Sequence, residues 1–70
     1  MPRKIRQLKR DLRRAGAEKV HHKDDHEKWT HPLVPDYYVE LSGANGDDAH
    51  CYQEQQVGEL LRRIQRAAEK

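Results

Sequence analysis

The spacing of apolar residues predicts a helix near each end of the chain. Over residues 3–15 the apolar side chains stand three and four positions apart, which places them on one face of an amphipathic helix. They are Ile5, Leu8 and Leu12. Gly16 follows as a typical helix stop. The same spacing returns over residues 52–69, where the apolar face comprises Val57, Leu60, Leu61 and Ile64.

Between the helices, apolar and polar residues alternate, which is typical of strands with one covered face. We predict strands over residues 17–22, 26–31 and 37–41. A short polar turn joins the first two strands, which favours an antiparallel hairpin. Pro32 and Pro35 remove backbone donors, so residues 31–36 are predicted to form a loop that crosses to the third strand. The residues predicted to point inward are Val20, Trp29, Tyr37, Val39 and Leu41.

The predicted order is therefore one helix, three antiparallel strands and a second helix, within a single domain of residues 1–70. Each helix has one apolar face and the sheet has one apolar face. The simplest way to bury them is a two-layer α+β sandwich of αβββα order, with both helices on the same side of the sheet. The other sheet face then stays open. That open face is predicted to carry Lys19, His21, His26, Lys28, Thr30, Tyr38 and Glu40.

Positive charge is concentrated in the first helix. Residues 1–14 contain seven Lys or Arg and one acidic residue, whereas the remainder contains seven basic and eleven acidic residues. Such a block favours contact with phosphates through a salt-sensitive attraction that does not depend on base sequence. A solvated helix face is the alternative interpretation. The candidate RNA-binding residues are Arg3, Lys4, Arg6, Lys9, Arg10, Arg13, Lys19 and Lys23.

His26 lies where the polar turn meets the second predicted strand, and Lys28 follows two positions later on the same face. The 2′-hydroxyl of RNA can attack its own neighbouring phosphate once a base removes the proton. A histidine suits that proton transfer near neutral pH, and a lysine can stabilise the developing negative charge. We therefore take His26 and Lys28 as candidate catalytic residues; a surface histidine in a turn is the alternative. His31 shares the Trp29 face and is interpreted as a packing or capping residue before Pro32.

Other chemistries find less support. The five histidines and the nearby aspartates follow neither a zinc nor a calcium spacing, so we expect no metal site and no cofactor. Cys51 is the one cysteine, which excludes an internal disulfide, and we expect it to be a small buried or half-buried residue. The apolar runs are too short for a signal peptide or a membrane span, so a soluble, cytoplasmic protein is expected.

Taken together, these residues resemble the HicA (YcfA-type) family of bacterial toxins over nearly the whole chain. The family has a helix that ends in Gly, a strand, a Lys-Gly-Ser-His-like turn, an aromatic residue and a second His before Pro. The corresponding residues are Gly16, Val20, Lys23-Asp24-Asp25-His26, Trp29 and His31-Pro32. The resemblance implies a fold like that of double-stranded-RNA-binding domains. It also implies cleavage of mRNA that depends on His26, and neutralisation by a HicB-type antitoxin.

Two residues of the turn depart from the family pattern. Asp24 replaces its glycine and Asp25 replaces its small polar residue, which changes the backbone preference and adds negative charge near the RNA. A weakened activity is one expectation. Two other functions stay open: a non-catalytic RNA-binding module that uses the basic first helix and the open sheet face, and a protein-interaction unit stabilised by its partner.

Overall fold

The computed structural model describes residues 3–23, 26–44 and 46–69, the side chains of His21, His22 and Lys23 excepted. The elements are α1 (Ile5–Arg14), β1 (Glu18–Lys23), β2 (His26–His31), β3 (Val34–Ser42) and α2 (Cys51–Ala68). The strands form one antiparallel sheet in the order β1-β2-β3, so β2 is central. The predicted α+β fold and its order of elements are confirmed.

Both helices pack on the same face of this sheet, which leaves the other face open as predicted. One apolar core joins the two layers, and its main contributors are Ile5, Leu8 and Leu12 from α1, Trp29, Val39 and Leu41 from the strands, and Val57, Leu60 and Ile64 from α2. Each of these side chains is at most 8% exposed. Burial of this apolar surface is the main favourable contribution to folding.

Gly16 ends α1 as the sequence predicts. Its φ of +89° is a conformation that glycine adopts without strain. The amide of Gly16 donates to Arg13 O and the amide of Ala17 donates to Leu12 O, at 3.0 and 2.9 Å. This pair of bonds is the Schellman arrangement, which satisfies two of the last carbonyls of the helix and turns the chain into β1.

A bulge in β1 changes which residues face the core. Counting back from the turn, His21 pairs with Lys28, but the next pair is Lys19 with Trp29, so Val20 is an extra residue. Val20 is 52% exposed, and its predicted inward position is wrong. The predicted position of Lys19 on the open face is also wrong, since its pairing with Trp29 places it on the helix side. One inserted residue reverses the alternation of every position beyond it.

The predicted loop over residues 31–36 is also wrong. Pro32 and Leu33 form a short turn, and β3 begins directly afterwards at Val34, which pairs with His31 and is 6% exposed. The regular register resumes only at the pair of Val39 with Trp29. Pro35 lies in the irregular stretch between these pairs, where a missing backbone donor does not interrupt the ladder.

Gln53 fixes the start of α2 to the end of β3. Its side chain is fully buried and accepts a hydrogen bond from the His50 amide at 2.8 Å. Its amide group also lies 3.4 Å from Ser42 O. The contact with Ser42 therefore links the end of β3 to the first turn of α2, the helix that packs on it.

Candidate functional site

His26 begins the central strand and lies exposed on the open face of the sheet. Its neighbours across the sheet are Lys23 in β1 and Ser42 in β3. Two positions later, Lys28 is on the same face, between His21 and Glu40. The predicted placement of His26 and Lys28 on one face is confirmed. Both residues pair with a neighbouring strand on each side, because β2 is central.

The ammonium group of Lys28 lies over the ring of Tyr38, with Nζ 4.1 Å from the ring centroid. Tyr38 is on the open face and is 52% exposed. Along β3, Glu40 stands opposite Lys28 and separates Tyr38 from Ser42, the neighbour of His26. The charge of Lys28 is therefore held on the side away from His26, in a cation–π contact. His26 and Lys28 stand two residues apart on the open face, with the ammonium turned away from the imidazole.

Glu27 lies between these two residues in sequence and points to the helix side. Its carboxylate accepts hydrogen bonds from Lys9 Nζ at 2.8 Å and from the Trp29 indole at 3.2 Å. Burial by itself raises the pKa of Glu27, but the Lys9 ion pair, the charge of Lys19 and the Trp29 bond outweigh it and lower the pKa overall. The charged network beneath the sheet thus connects α1 to β2, the strand that carries His26.

Lys9 is part of this network, although its charge predicts an RNA-binding role. Its side chain is only 9% exposed and its ammonium is held by Glu27. The sequence contains a signal for this position, since Lys9 follows Ile5 by one helical turn and lies beside Leu8 on the covered face of α1. We therefore leave Lys9 out of the candidate RNA-binding surface.

His31 has the packing role that its position predicts. It is 8% exposed, and the Leu33 amide donates to Nδ1 at 3.0 Å. Nδ1 therefore carries the lone pair and Nε2 the proton, which is donated to Ala15 O at 3.0 Å. His31 joins the end of α1 to the β2–β3 turn, and a Cβ atom on Gly16 would lie 3.2 Å from its Nε2.

The cations of α1 and of the two residues before it separate into an exposed and a paired set. Arg6, Arg10 and Arg13 are exposed and lie one helical turn apart. Arg3 and Lys4 are half-buried, and each forms an ion pair of 2.6 Å, with Asp11 and Asp48 respectively. Arg14 is also exposed. It belongs to the same run of cations, but the predicted set of RNA-binding residues leaves it out.

Lys19 extends the exposed set onto the edge of the sheet. It pairs with Trp29 in the register, and the guanidinium of Arg13 lies 5.6 Å from the Trp29 ring centroid. We call Arg6, Arg10, Arg13 and Lys19 the α1 basic surface. It is on the helix side of the sheet, whereas His26 is on the open side.

The Lys23 side chain and residues Asp24 and Asp25, which also bear on the predicted site, lie outside the described residues.

Three further observations concern other chemistries. Among the side chains that the structure describes, no three His, Cys, Asp or Glu lie close enough together to hold a metal ion. Cys51 is exposed, contrary to prediction, because α2 turns its covered face toward Gln53 and Val57. Within residues 3–23, 26–44 and 46–69, no helix is long and apolar enough to cross a membrane.

Comparison of the chain with known proteins found no matching family model, no matching curated protein and no matching solved structure. The resemblance to the HicA family therefore stays a prediction that rests on the residues named above.

Proposed function

We propose that the chain is a small metal-independent endoribonuclease of the HicA type, with His26 as its general base. The observation that carries this proposal is the exposed position of His26 at the start of the central strand, on a sheet face that neither helix covers. A substrate phosphodiester can approach this imidazole directly. The hydrogen-bonded strands on both sides give the residue the rigid support that a catalytic group needs.

The proposed reaction uses the nucleophile that RNA itself contains. His26 accepts the proton of a 2′-hydroxyl, and the oxygen attacks the adjacent phosphorus. The bond from phosphorus to the 5′-oxygen breaks, that oxygen takes a proton from water, and the hydroxide that remains takes the proton held by His26. The products are a 2′,3′-cyclic phosphate and a free 5′-hydroxyl. Lys28, whose ammonium lies over Tyr38 in the free protein, turns toward the bound phosphate and supplies positive charge where negative charge develops in the transition state.

The exposed cations contribute to RNA binding from the other side of the sheet. The α1 basic surface attracts the RNA backbone by long-range electrostatics, in a way that weakens as salt increases. The resemblance extends the proposal to cytoplasmic mRNA as substrate and to a HicB-type antitoxin as partner. An antitoxin that inhibits cleavage by direct occlusion would have to cover the open face around His26.

A non-catalytic RNA-binding module is the second candidate. It is favoured by the separation of the α1 basic surface from His26, which lie on opposite sides of the sheet. Phosphate binding by Arg6, Arg10 and Arg13 does not require the imidazole. The two functions therefore predict different results when His26 alone is replaced.

Expression in a bacterium, scored by growth and by the integrity of total mRNA, tests the proposal. The variants are the parent, Asp24→Gly, His26→Ala and His50→Ala, the last being an exposed histidine at the start of α2 that serves as the matched control. We expect the parent or Asp24→Gly to arrest growth and degrade mRNA, His50→Ala to behave as its parent, and His26→Ala to do neither. Equal growth with intact mRNA in all four strains would favour the binding module.

A further inference from the structure

We infer that Tyr38 stacks on an unpaired base, which makes single-stranded RNA the substrate class of this site. The inference rests on the proposed function, since it concerns the same sheet face. Tyr38 is exposed to 52% on the open face, beyond the reach of the core. An aromatic ring that extends from a sheet beside cationic groups is a suitable platform for a nucleobase, because every base has a π face.

Lys28 strengthens this interpretation. Its ammonium lies 4.1 Å from the Tyr38 ring centroid, so a cation and an aromatic surface are combined at one position. A nucleotide offers the complementary pair: its base takes the ring face that the ammonium covers in the free protein, and its phosphate takes the ammonium. Elsewhere in the described chain, Arg13 over Trp29 and Arg63 over Tyr37 form similar contacts, but Trp29 is buried and Tyr37 is half-buried.

The sheet register sets the spacing along the open face between Tyr38 and the position beside His26. Tyr38 precedes Ser42, the neighbour of His26, by four residues. Four residues of a strand extend over about 13 Å. Tyr38 is therefore too far away to stack on the base of the reacting nucleotide and would take the base of a neighbouring one, with Lys28 between the two positions.

Base stacking on Tyr38 discriminates against double-stranded RNA. In a duplex the faces of the bases are already stacked on one another, and proteins recognise it through its shape, phosphates and 2′-hydroxyls. A ring that stacks can therefore act only on a base that is unpaired. The α1 basic surface does not make this distinction, because it attracts the phosphates of both forms.

Binding of fluorescein-labelled RNA, followed by fluorescence anisotropy in the His26→Ala background, tests the inference without cleavage of the probe. The probe is a single-stranded oligoribonucleotide of mixed sequence, compared with the same strand annealed to its complement. We expect Tyr38→Phe to bind like the His26→Ala parent and Tyr38→Leu to bind the single strand about tenfold more weakly. Tyr52→Leu is the matched control, since Tyr52 is 53% exposed on α2.

Abasic sites placed singly along the probe add a second measurement. One abasic position should weaken binding by the His26→Ala parent but leave Tyr38→Leu unaffected, because the stack is then already lost. The inference is overturned if Tyr38→Leu binds like its parent, if Tyr52→Leu loses as much affinity, or if duplex binds as tightly as single strand. Cleavage that survives His26→Ala alongside weakened binding by Tyr38→Leu would instead refute only the proposed reaction.

Discussion

Replacement of Lys9 by Met removes one partner of the charged network that supports β2. Methionine is also unbranched and only one atom shorter, but it leaves Glu27 without its closest cation, which lies 2.8 Å away. The carboxylate then keeps the Trp29 indole as a hydrogen-bond donor, at 3.2 Å. Since the Glu27 side chain is only 13% exposed, water cannot fully replace the lost ammonium. We therefore expect Lys9→Met to lower the free energy of unfolding.

The expected loss is about 2–3 kcal/mol. Loss of one partner from a fully buried ion pair costs roughly 3–5 kcal/mol, and the remaining exposure of Lys9 and Glu27 lowers that value. A domain of 70 residues has a total stability of about 4–10 kcal/mol, so the loss is a large fraction of it. With a urea m-value of about 1 kcal/mol per M, the midpoint of unfolding should fall by about 2–3 M.

Urea unfolding followed by the fluorescence of Trp29, the one tryptophan in the chain, measures this change. Lys4→Met is the matched control, because its ion pair with Asp48 is more exposed and should contribute less than about 1 kcal/mol. The double variant Lys9→Met/Glu27→Gln keeps an acceptor for Trp29 without an unpaired charge, and should recover at least about 1 kcal/mol. A Lys9→Met variant as stable as Lys4→Met, or a double variant no more stable than Lys9→Met, would refute the reasoning.

Three further predictions concern pH, backbone and salt. The folded state lowers the pKa of Glu27 from 4.5, so the stabilisation from this carboxylate is present above pH 4.5 and is lost as the pH falls through the lower folded-state pKa. The free energy of unfolding should therefore decrease less steeply with falling pH in Glu27→Gln than in the parent. Equal slopes would contradict this. Gly16→Ala should destabilise the protein by about 1–2 kcal/mol in thermal unfolding, because Gly16 has a positive φ and an added Cβ would lie 3.2 Å from the His31 ring. Gly58→Ala should stabilise it by up to about 1 kcal/mol, because an added Cβ there would meet only an Arg62 nitrogen at 3.7 Å. The opposite order of stability would refute the backbone assignment. The logarithm of the association constant for single-stranded RNA, measured by anisotropy, should decrease linearly with the logarithm of the salt concentration. The double variant Arg6→Gln/Arg10→Gln should reduce the magnitude of this slope by about 1.4. An unchanged slope would remove both residues from the interface.

The regular parts of the fold follow from local patterns. The three-and-four spacing of Ile5, Leu8 and Leu12 defines the covered face of α1, and Gly16 ends the helix as the sequence predicts. The bounds of β2 are those that its alternation predicts. These features depend on short-range periodicity, which a single sequence records directly.

Two errors have a non-local cause. The bulge at Val20 and the irregular pairing before Val39 each depend on which residues meet across the sheet, and no pattern within one strand records that. The bulge at Val20 also places Lys19 on the helix side of the sheet. A proline predicts the end of strand pairing, whereas Pro35 lies in an irregular stretch of β3 that tolerates it.

The candidate site was predictable in part. Alternation along β2 places His26 and Lys28 on one face, which the structure confirms. The contact between Lys28 and Tyr38 could not be derived, because it depends on side-chain direction across two strands. The helical spacing of Lys9 indicates burial, whereas its charge alone predicts exposure, and the ion pair with Glu27 is what makes the burial possible.

The central claim, that His26 is the base of an RNA-cleaving site, is tested most directly with an oligodeoxyribonucleotide that contains a single ribonucleotide. We expect the parent or Asp24→Gly chain to cut it only at that position and to leave a 2′,3′-cyclic phosphate, without added metal. His26→Ala should lower the rate at least about 100-fold while anisotropy shows unchanged binding. Cleavage at the same rate by His26→Ala, or no cleavage by either the parent or Asp24→Gly, would contradict the account.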